Sequence, residues 1–439
     1  MKSNKKPAFT FIDLFSGIGG FRIALEDIGG KCIGFSDIYK PAIQVYKENF
    51  DTSDELEIGD ITKNHDLPYA DIITGGVPCQ SWSIAGSKKG FDDPRGRLWL
   101  DTIQVTDKVR PKAFIYENVK GLADPRNRAN LDLIVESFRE IGYNTQYKVL
   151  NAFDFGLAQS RERIFIVGFR NDIDHSDFEY PKPYNFLPNL SSILEDTLVQ
   201  REHKESIQES KNSFNMAAIA NKGNFFIFSD VRNGEYTIHT WDLIETSALE
   251  KEICVRMLKN RRNKKYGSKD GNPMSLEHIQ ELFAPKLLPL DEVEEQYSVT
   301  KEQLDDLIEK KILRFKEGKY ELANSKISSG INGVYRIFLP ESHVFSTLTK
   351  SGSRDFVATE SIPEAIEDKK AYFIENIFMK QKYRPVTMRE GARIQGFGDD
   401  YKFDDVAYST AMGLLGNSIA IPVVKEVSKK VVEVINDER

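Results

Sequence analysis

Cys79 directly follows Pro78 in the stretch GGVPCQSWS, and it is one of three cysteines in the chain. The apolar, glycine-ended run ADIITGGV before it predicts a strand, so Cys79 should emerge at the carboxyl end of that strand in a polar turn. A thiol near helix N-termini and cationic side chains has a lowered pKa and acts as a nucleophile. The alternative for a free cysteine is a small buried side chain, and we assign Cys32 and Cys254 to it.

A carboxyl group and two guanidinium groups are expected near this thiol. Glu117, in IYENVKGL, should come just after another strand, with its side chain pointing into the same cleft. In QSRERIFIVGF, Gln159, Arg161 and Arg163 stand at alternate positions and share one face if they lie in a strand. Two guanidinium groups on one face can meet a carboxylate or phosphates, whereas surface salt bridges are the alternative.

A glycine-rich turn follows the first predicted strand, in DLFSGIGGF. Gly17, Gly19 and Gly20 allow a sharp turn and a close approach of the backbone to a ligand, which is typical of a nucleotide-like cofactor site. The spacing is GxGG and not the dinucleotide pattern GxGxxG. Asp37 ends the second strand, where it can accept hydrogen bonds from ribose hydroxyls. Asp60, after the third strand, is placed either to accept from an adenine amino group or to cap a helix.

To act together, these residues must lie at one edge of a sheet. The N-terminal part of the chain, up to Arg170, predicts such a sheet. Short strands, such as FTFIDLF and KAFIYENV, alternate there with helical stretches such as LWLDTIQVTDKV. Such alternation predicts an α/β fold with a Rossmann-like, doubly wound, mostly parallel sheet. The carboxyl ends of its strands would bring the thiol, the carboxyl group and the glycine turn together.

The alternation stops after Tyr180, and PKPYNFLPNL has the composition of a linker. We therefore predict a domain over 1–185 that carries the candidate catalytic residues, an inserted smaller domain over 186–408, and a C-terminal segment over 409–439 that returns to the first domain. Within the insertion, VTKEQLDDLIEKKILRFKEGKYEL predicts a helix followed by a hairpin, which resembles a winged-helix element; a helix and hairpin of no special role is the alternative. AIPVVKEVSKKVVEVI predicts a final apolar helix.

Composition limits the class of protein. The chain has 439 residues, 40% hydrophobic and 29% charged, and shows neither a run long enough to span a membrane nor a signal peptide. Few, widely spaced cysteines favour a reducing cytoplasm and predict neither disulfides nor a metal site. The net charge of −7 does not exclude a nucleic-acid partner, because phosphates meet a local surface. The segment 251–269, with eight Lys or Arg and one acid, is such a surface or a solvated helix.

In their order along the chain, these motifs resemble those of the DNA (cytosine-5) methyltransferases of restriction-modification systems. The segments that carry the resemblance are DLFSGIGGF, FSDIYKPAIQVY, GDIT, GGVPCQSWSIAG, YENVKGL, QSRERIFIVGF, RPVTMREGARIQGF and LLGNSIAIPV. The match runs from the start of the chain to Arg170 and again from Arg384 to its end, and the unmatched middle is where that family has its variable target-recognition region.

The resemblance implies S-adenosyl-L-methionine as the methyl donor and double-stranded DNA as the partner. It implies that Cys79 adds to C6 of a flipped cytosine, that protonated Glu117 binds N3, and that Arg163, with or without Arg161, binds the cytosine carbonyl or a phosphate. The implied cofactor residues are Phe15, Gly17, Gly19, Gly20, Asp37, Ile38, Asp60, Ile61, Pro78, Leu98, Asn417 and Ser418, with Ile38 or Tyr39 stacking on adenine. The implied DNA contacts are Gln80, Ser83, Arg95, Arg97 and Thr347.

Two other functions compete with this one. A tRNA (cytosine-5) methyltransferase shares the motifs, but that branch has a short middle region, whereas here the middle region extends over 186–380. A catalytically inactive DNA-binding homologue would not need the thiol, the carboxyl group and the arginines together. We expect a cytoplasmic monomer that pairs functionally with a restriction endonuclease; the DNA sequence that it recognises does not follow from the residues.

Overall fold

The computed structural model describes residues 7–78, 98–195, 212–215, 225–283, 299–323, 330–350 and 354–436. The chain divides into two compact units. The first comprises Met1–Ile219, His343–Ser353 and Val386–Arg439, and the second comprises Ala220–Ser342 and Arg354–Pro385. None of the helices in the described residues is both long and apolar enough to cross a membrane.

A seven-stranded sheet forms the centre of the first unit, with the order β3-β2-β1-β4-β5-β7-β6. Its strands are β1 (Phe9–Leu14), β2 (Gly30–Phe35), β3 (Leu56–Glu57), β4 (Ile72–Gly76), β5 (Ala113–Val119), β6 (Tyr143–Asn151) and β7 (Glu162–Arg170). All neighbours from β3 to β5 are parallel, and β7 is antiparallel to both β5 and β6. This confirms the predicted α/β fold with a mostly parallel sheet.

Helices connect these strands. They are α1 (Gly20–Glu26), α2 (Lys40–Asn49), α3 (Leu98–Val109) and α4 (Arg128–Glu140). The core between α3, α4 and the sheet is aromatic: the Phe114 and Phe138 rings lie 4.3 Å apart, and Trp99 meets Tyr116 edge to face. Gly168 on β7 makes room for Phe114, since a Cβ there would come within 2.2 Å of the ring. This packing holds β4 and β5, which carry the predicted catalytic residues, in fixed register.

The second unit contains a five-stranded sheet and a helical part. The sheet has the order β14-β13-β12-β8-β9. The strands of the unit are β8 (Phe225–Phe228), β9 (Thr237–Ile238), β10 (Leu313–Lys316), β11 (Lys319–Leu322), β12 (Arg336–Phe338), β13 (Asp355–Ala358) and β14 (Tyr383–Arg384). Its helices are α5 (Thr240–Leu243), α6 (Ala248–Asn260), α7 (Leu276–Glu281), α8 (Lys301–Glu309) and α9 (Lys369–Tyr372), the last followed by a π-helix at Phe373–Phe378.

The predicted helix and hairpin are confirmed in this unit. Thr300 caps α8 by accepting a hydrogen bond from the Gln303 backbone, and the Gln303 side chain accepts one from the Thr300 backbone. The two residues between β10 and β11 are Glu317 and Gly318, both with positive φ, as a tight hairpin requires. The winged-helix character of this part stays a prediction.

Three helices complete the first unit: α10 (Met388–Gln395), α11 (Tyr408–Asn417) and α12 (Ile421–Asn436). The last confirms the predicted C-terminal apolar helix. The unit boundaries differ from the predicted 185/186 and 408/409, because 186–219, 343–353 and 386–408 group with the first unit. Hydrogen bonds join two of these segments to the rest of the unit: the Phe345 N–H donates to the Ala158 carbonyl (2.8 Å), and the Gln159 amide donates to the Ile394 carbonyl (3.1 Å).

Candidate active site

The three turns that follow β1, β2 and β3 are bonded to one another at the carboxyl edge of the sheet. The Ser16 backbone N–H donates to the Ser36 carbonyl (2.8 Å), and the Ser36 hydroxyl donates to the Gly59 carbonyl (3.0 Å). The segments that contain Gly17, Asp37 and Asp60 are therefore neighbours, as the parallel sheet predicts.

The glycine turn has an unusual backbone. Phe15, Gly17 and Gly19 all have positive φ, at 52°, 55° and 80°. Phe15 is not a glycine, so its left-handed conformation stores strain of a kind that concentrates at functional sites. A Cβ at Gly19 would clash with the Phe50 ring at 2.3 Å, whereas a Cβ at Gly17 would meet, among the described residues, only the Phe15 carbonyl oxygen, at 3.9 Å. Gly19 is thus required by packing, and Gly17 is not crowded by any part of the chain that the structure describes.

Asp37 ties the glycine turn to the end of β2. Its Oδ2 accepts a hydrogen bond from the Gly17 N–H (2.9 Å), and its Oδ1 accepts one from the Tyr39 N–H (2.8 Å). Each carboxylate oxygen has a further lone pair for a ligand hydroxyl. Beyond it, Ile38 is 74% exposed and Tyr39 is 49% exposed, so both apolar side chains remain candidates for stacking on a flat ring.

Asp60 is engaged locally. Its Oδ1 accepts from the Thr62 N–H (3.0 Å) and the Thr62 hydroxyl (2.8 Å), and these two bonds lower the pKa of the Asp60 carboxyl. These bonds from the residue two positions ahead resemble helix N-capping, which is the alternative role predicted for Asp60 from the sequence. Ile61 is buried in the core, and Pro78 and Leu98 are half-buried at the two edges of the undescribed stretch 79–97.

The C-terminal segment reaches the glycine turn at Ser418. A Cβ at Gly20 would come within 2.6 Å of Ile419 Cγ1 and 3.3 Å of Ser418 Oγ, so only glycine permits this approach. Asn417, at the end of α11, is exposed. The structure therefore brings the predicted residues from both ends of the chain to one place.

Asp13, the one charged residue of the apolar strand β1, was not among the predicted site residues. It is fully buried, its Oδ1 accepts a hydrogen bond from Thr74 (3.2 Å), and Oδ2 has no hydrogen-bond partner among the described residues. Burial raises the pKa of Asp13 to about 8. A single acid in an otherwise apolar strand was the signal that could have identified it.

Glu117 and Arg163 form the centre of the predicted catalytic group. Glu117 lies within β5 and not after it, as the sequence analysis expected, and it is 7% exposed. Arg163 Nε is 3.1 Å from Glu117 Oε1, an ion-pair distance without the alignment of a hydrogen bond. Burial raises the pKa of Glu117, while Arg163 and Arg161 oppose this shift. A carboxyl group that keeps its proton can donate a hydrogen bond to a substrate.

Asn118 connects β5 to the backbone that leads to the nucleophile. Its side-chain amide donates to the Val77 carbonyl (3.0 Å), one residue before Pro78, and its Oδ1 accepts from the Val119 N–H (2.9 Å). Cys79 itself lies outside the described residues. Asn118 therefore fixes the backbone just after β4, two residues before Cys79 in the sequence.

Arg161 and Arg163 have different partners: Arg163 is paired with Glu117, whereas Arg161, which lies just before the first residue of β7, contacts backbone carbonyls. Arg161 is 2% exposed. Its guanidinium donates to the carbonyls of Leu348 (3.2 Å), Gly416 (3.2 Å) and Ser418. These contacts favour a positioning role for Arg161, in which it joins three backbone segments of the first unit.

Thr347 lies in a segment that is bonded to the chain before β7. Its hydroxyl donates to the Ser160 carbonyl, and Gln159 Oε1 accepts from the Leu348 N–H (3.1 Å). Thr347 is half-buried, so part of its surface is accessible. The other predicted DNA contacts, Gln80, Ser83, Arg95 and Arg97, lie outside the described residues.

The residues at the carboxyl edge fit S-adenosylmethionine. Because no described residue crowds Gly17, the backbone there can approach a ligand, and the Asp37 carboxylate can accept from ribose hydroxyls. The exposed side chains of Ile38 and Tyr39 offer an apolar surface to an adenine ring. The buried Asp13 carboxyl lies below the same turn and keeps an oxygen without a partner in the described part of the chain.

Comparisons with known proteins show the family of the chain. A family model described as C-5 cytosine-specific DNA methylase matches residues 9–433. Type II methyltransferase M.HgiBI of Herpetosiphon aurantiacus is 43% identical over 433 residues, which cover 96% of each chain. Type II methyltransferase M.NlaIV of Neisseria lactamica is 32% identical, over 97% of this chain and 99% of that protein.

The solved structure of the S. pombe Dnmt2 methyltransferase is similar in fold, with a TM-score of 0.50 at 18% identity, and covers 98% of this chain and 99% of that one. At this identity the likeness concerns the fold alone. The family model and the two relatives instead cover almost the whole chain at the level of sequence. The chain therefore belongs to the C-5 cytosine-specific DNA methylase family and is a DNA (cytosine-5) methyltransferase that uses S-adenosyl-L-methionine.

Proposed function

We propose that this enzyme methylates a cytosine that it flips out of duplex DNA, through a covalent bond between Cys79 and C6, and that it does so within a restriction-modification system. The single observation that carries the mechanism is Glu117, a buried carboxyl group with a raised pKa, 3.1 Å from Arg163. It lies on the strand next to the one that leads to Cys79.

Cytosine C5 must be made more nucleophilic before it can accept a methyl group, and a thiol can do this. C5 of cytosine belongs to an electron-poor ring and is a weak nucleophile. Addition of the Cys79 thiolate forms an S–C6 bond and shifts the ring electrons toward C5, which becomes enamine-like. When bound, S-adenosylmethionine supplies an electrophilic methyl group to C5. Loss of the C5 proton to a base, with breakage of the S–C6 bond, then restores the aromatic ring and the free thiolate.

Glu117 assists the addition step. In its protonated form it donates a hydrogen bond to N3, which neutralises the negative charge that develops on the ring as the thiolate adds. Burial supplies the raised pKa that this role needs at neutral pH. Arg163, 3.1 Å from Glu117, is proposed to orient the Glu117 carboxyl group and to bind the cytosine carbonyl.

Base flipping follows from access to the reacting atom. C6 is covered by its neighbours in a stacked duplex, so the base must leave the helix before a thiol can reach it. The segment KKGFDDPRGRLW (88–99), which the sequence predicts to close over the base or to be a plain surface loop, lies mostly outside the described residues. Thr347 is proposed to contact the nucleotide from the first unit.

The partners follow from the family and from the names of the relatives. Both relatives cited above are Type II methyltransferases, so we propose functional pairing with a restriction endonuclease that shares the recognition site. The second unit, within the predicted insertion, is proposed to read that site. A monomeric state and a cytoplasmic location stay predictions.

The tRNA alternative is not favoured. The matching family model describes a DNA methylase, and the relatives at 43% and 32% identity are Type II methyltransferases. The likeness to the S. pombe Dnmt2 methyltransferase, at 18% identity, shows the fold alone.

Methyl transfer tests the proposal directly. The purified chain should move labelled methyl groups from S-adenosylmethionine to unmodified genomic DNA and not to tRNA, and bisulfite sequencing of that DNA should show one modified sequence. The Cys79→Ser variant should be inactive, and duplex DNA with 5-fluorocytosine at the modified position should remain bonded to the peptide that contains residue 79. Transfer to tRNA, or an adduct on another peptide, would refute the proposal.

A further inference from the structure

The helical part of the second unit has a definite order of elements. From α6 the chain passes through Met274, which pairs antiparallel with Tyr320 of β11, then through α7 and α8 into the β10–β11 hairpin. A single apolar core joins α6, α7, α8 and the hairpin. Helix, short strand, two helices and a hairpin is the order of a winged-helix domain. We call residues 248–323 the helical module.

In helix-turn-helix proteins the second helix of the pair enters the major groove, and here that helix is α8. Its sequence, KEQLDDLIE, contains one lysine and four acids, a formal charge of −3. Glu302, Asp306 and Glu309 are exposed, and its Leu304 and Leu307 are buried in the core. An acidic helix face is repelled by the phosphates on both sides of a groove. The face that the fold would offer to DNA is therefore electrostatically unsuited to it.

A basic surface lies elsewhere on the same module. The C-terminal end of α6 and the loop that follows it, residues 259–270, carry this surface, and we call these residues the basic loop. Its exposed cations are Lys259, Arg262, Lys264, Lys265 and Lys269. Two of them are paired with acids: Arg262 Nε lies 2.7 Å from Asp270, and Lys265 Nζ lies 2.5 Å from Glu281. Within the described ranges, Lys259, Lys264 and Lys269 have no carboxylate at ion-pair distance.

Asn272 gives the basic loop its shape. It is 5% exposed, its amide donates to the Arg261 carbonyl (3.0 Å), and its Oδ1 accepts from the Lys269 N–H (2.9 Å). Gly267 has φ of 149°, and a Cβ there would lie 2.5 Å from Asn272 Oδ1, so the loop closes tightly on this side chain. Loop cations that are held in place lose less entropy on binding than cations on a loose chain.

We propose that the helical module binds the phosphate backbone of DNA through the basic loop, chiefly through Lys259, Lys264 and Lys269, and does not insert α8 into the major groove. This rests on the proposed function, because DNA is taken as the partner. Such contacts carry no sequence information; they increase affinity and set the position of the second unit on the duplex.

The test replaces Lys259, Lys264 and Lys269 by alanine together. Because these side chains are exposed and unpaired among the described residues, the fold should be retained, which thermal unfolding checks. We expect the Kd for unmodified duplex DNA to rise by about 10-fold or more near physiological salt, and the slope of log K against log salt to fall by about 2–3. The KM for DNA should rise with the Kd, while kcat at saturating DNA should not change.

Two matched variants sharpen the result. Replacing the same lysines by arginine should keep the wild-type Kd and salt slope, since charge is what the proposal requires. The variant Glu302→Gln, Asp306→Asn, Glu309→Gln should bind DNA with an affinity within about 2-fold of the wild type if α8 is remote from the phosphates. If α8 faces DNA, removing three negative charges should tighten binding severalfold.

An unchanged Kd and salt slope in the alanine variant, or clearly tighter binding in the α8 variant, would overturn the proposal. Its failure is distinguishable from failure of the proposed function. If wild-type enzyme methylates DNA while the lysine variant keeps the wild-type KM, only this inference fails; if wild-type enzyme transfers no methyl group to DNA, the function itself fails.

Discussion

Arg161 and Arg163 are two residues apart in one motif, yet the structure predicts different consequences for their replacement. Loss of Arg161 should mainly lower stability, and loss of Arg163 should mainly lower kcat. Arg161 is buried and donates to the carbonyls of Leu348, Gly416 and Ser418. A hydrogen bond to a charged group contributes about 1.5–3 kcal/mol, and neighbouring contributions are not fully additive. We therefore expect Arg161→Ala to lower the free energy of unfolding by about 3–5 kcal/mol.

The matched variant is Arg163→Ala. The ion pair of Arg163 is with Glu117 alone among the described residues, and Glu117, whose pKa is already raised, can take up a proton when it loses this cation, so the cost in unfolding free energy should be smaller than for Arg161→Ala. Its effect should appear in catalysis: kcat should fall by about 10-fold or more, because Glu117 loses the cation that orients it. Removing this cation should also raise the pKa of Glu117 further, since Arg163 opposes the effect of burial.

The assay is urea unfolding of both variants, followed by methyl transfer at a temperature where both are folded. Arg161→Lys keeps one charge but cannot reach three carbonyls, so its stability should lie between those of the wild type and Arg161→Ala. If Arg161→Ala unfolds like the wild type and loses only kcat, then Arg161 contacts the substrate and its positioning role is wrong. If Arg163→Ala is the less stable of the two, the geometry of both residues is wrong.

Three further outcomes are expected. Glu117→Gln should lower kcat by about 100-fold and should remove the loss of activity that wild-type enzyme shows as pH rises through the raised pKa of Glu117, measured as a pH–rate profile. Gly17→Ala, which is strained by the positive φ of 55°, should weaken S-adenosylmethionine binding in calorimetry and should lower Tm less than Gly19→Ala, whose Cβ would also lie 2.3 Å from Phe50; equal effects on Tm would contradict the difference in space. Between the unfolded pKa of Asp13, 3.8, and the folded value of about 8, the folded state binds one more proton. Asp13 should therefore make stability fall with rising pH by about 1.4 kcal/mol per unit in that window, and Asp13→Asn should remove this slope in urea unfolding.

Much of the fold was predictable because its signals are local. Alternating strands and helices predicted the sheet. The turn was predicted from Gly17, Gly19 and Gly20, and two of these, Gly17 and Gly19, have the positive φ that favours glycine. The helix at Lys301–Glu309 and its hairpin followed from periodicity and from a turn with glycine. These patterns depend on residues only a few positions apart in the chain, so they can be recognised in the sequence without knowledge of the tertiary structure.

The limits of prediction lie where distant segments meet. Arg161 was grouped with Arg163 because they alternate, but β7 begins one residue after Arg161, so its partners come from positions near 348 and 416. The predicted boundary at 408/409 likewise missed that 343–353 and 386–408 pack with the first unit. Hydrogen bonds between segments so far apart in the chain leave no periodic trace in the sequence.

The amino-acid sequence alone determined the family, the sheet and the residue types at its carboxyl edge, because motif order and strand periodicity are written along the chain. Only the tertiary structure decided what each group experiences: the burial that raises the pKa of Glu117, the buried Asp13 oxygen without a partner among the described residues, and the separate partners of Arg161 and Arg163. The physical reason is that protonation and hydrogen bonding depend on distance and solvent exclusion in space, which packing of remote segments creates.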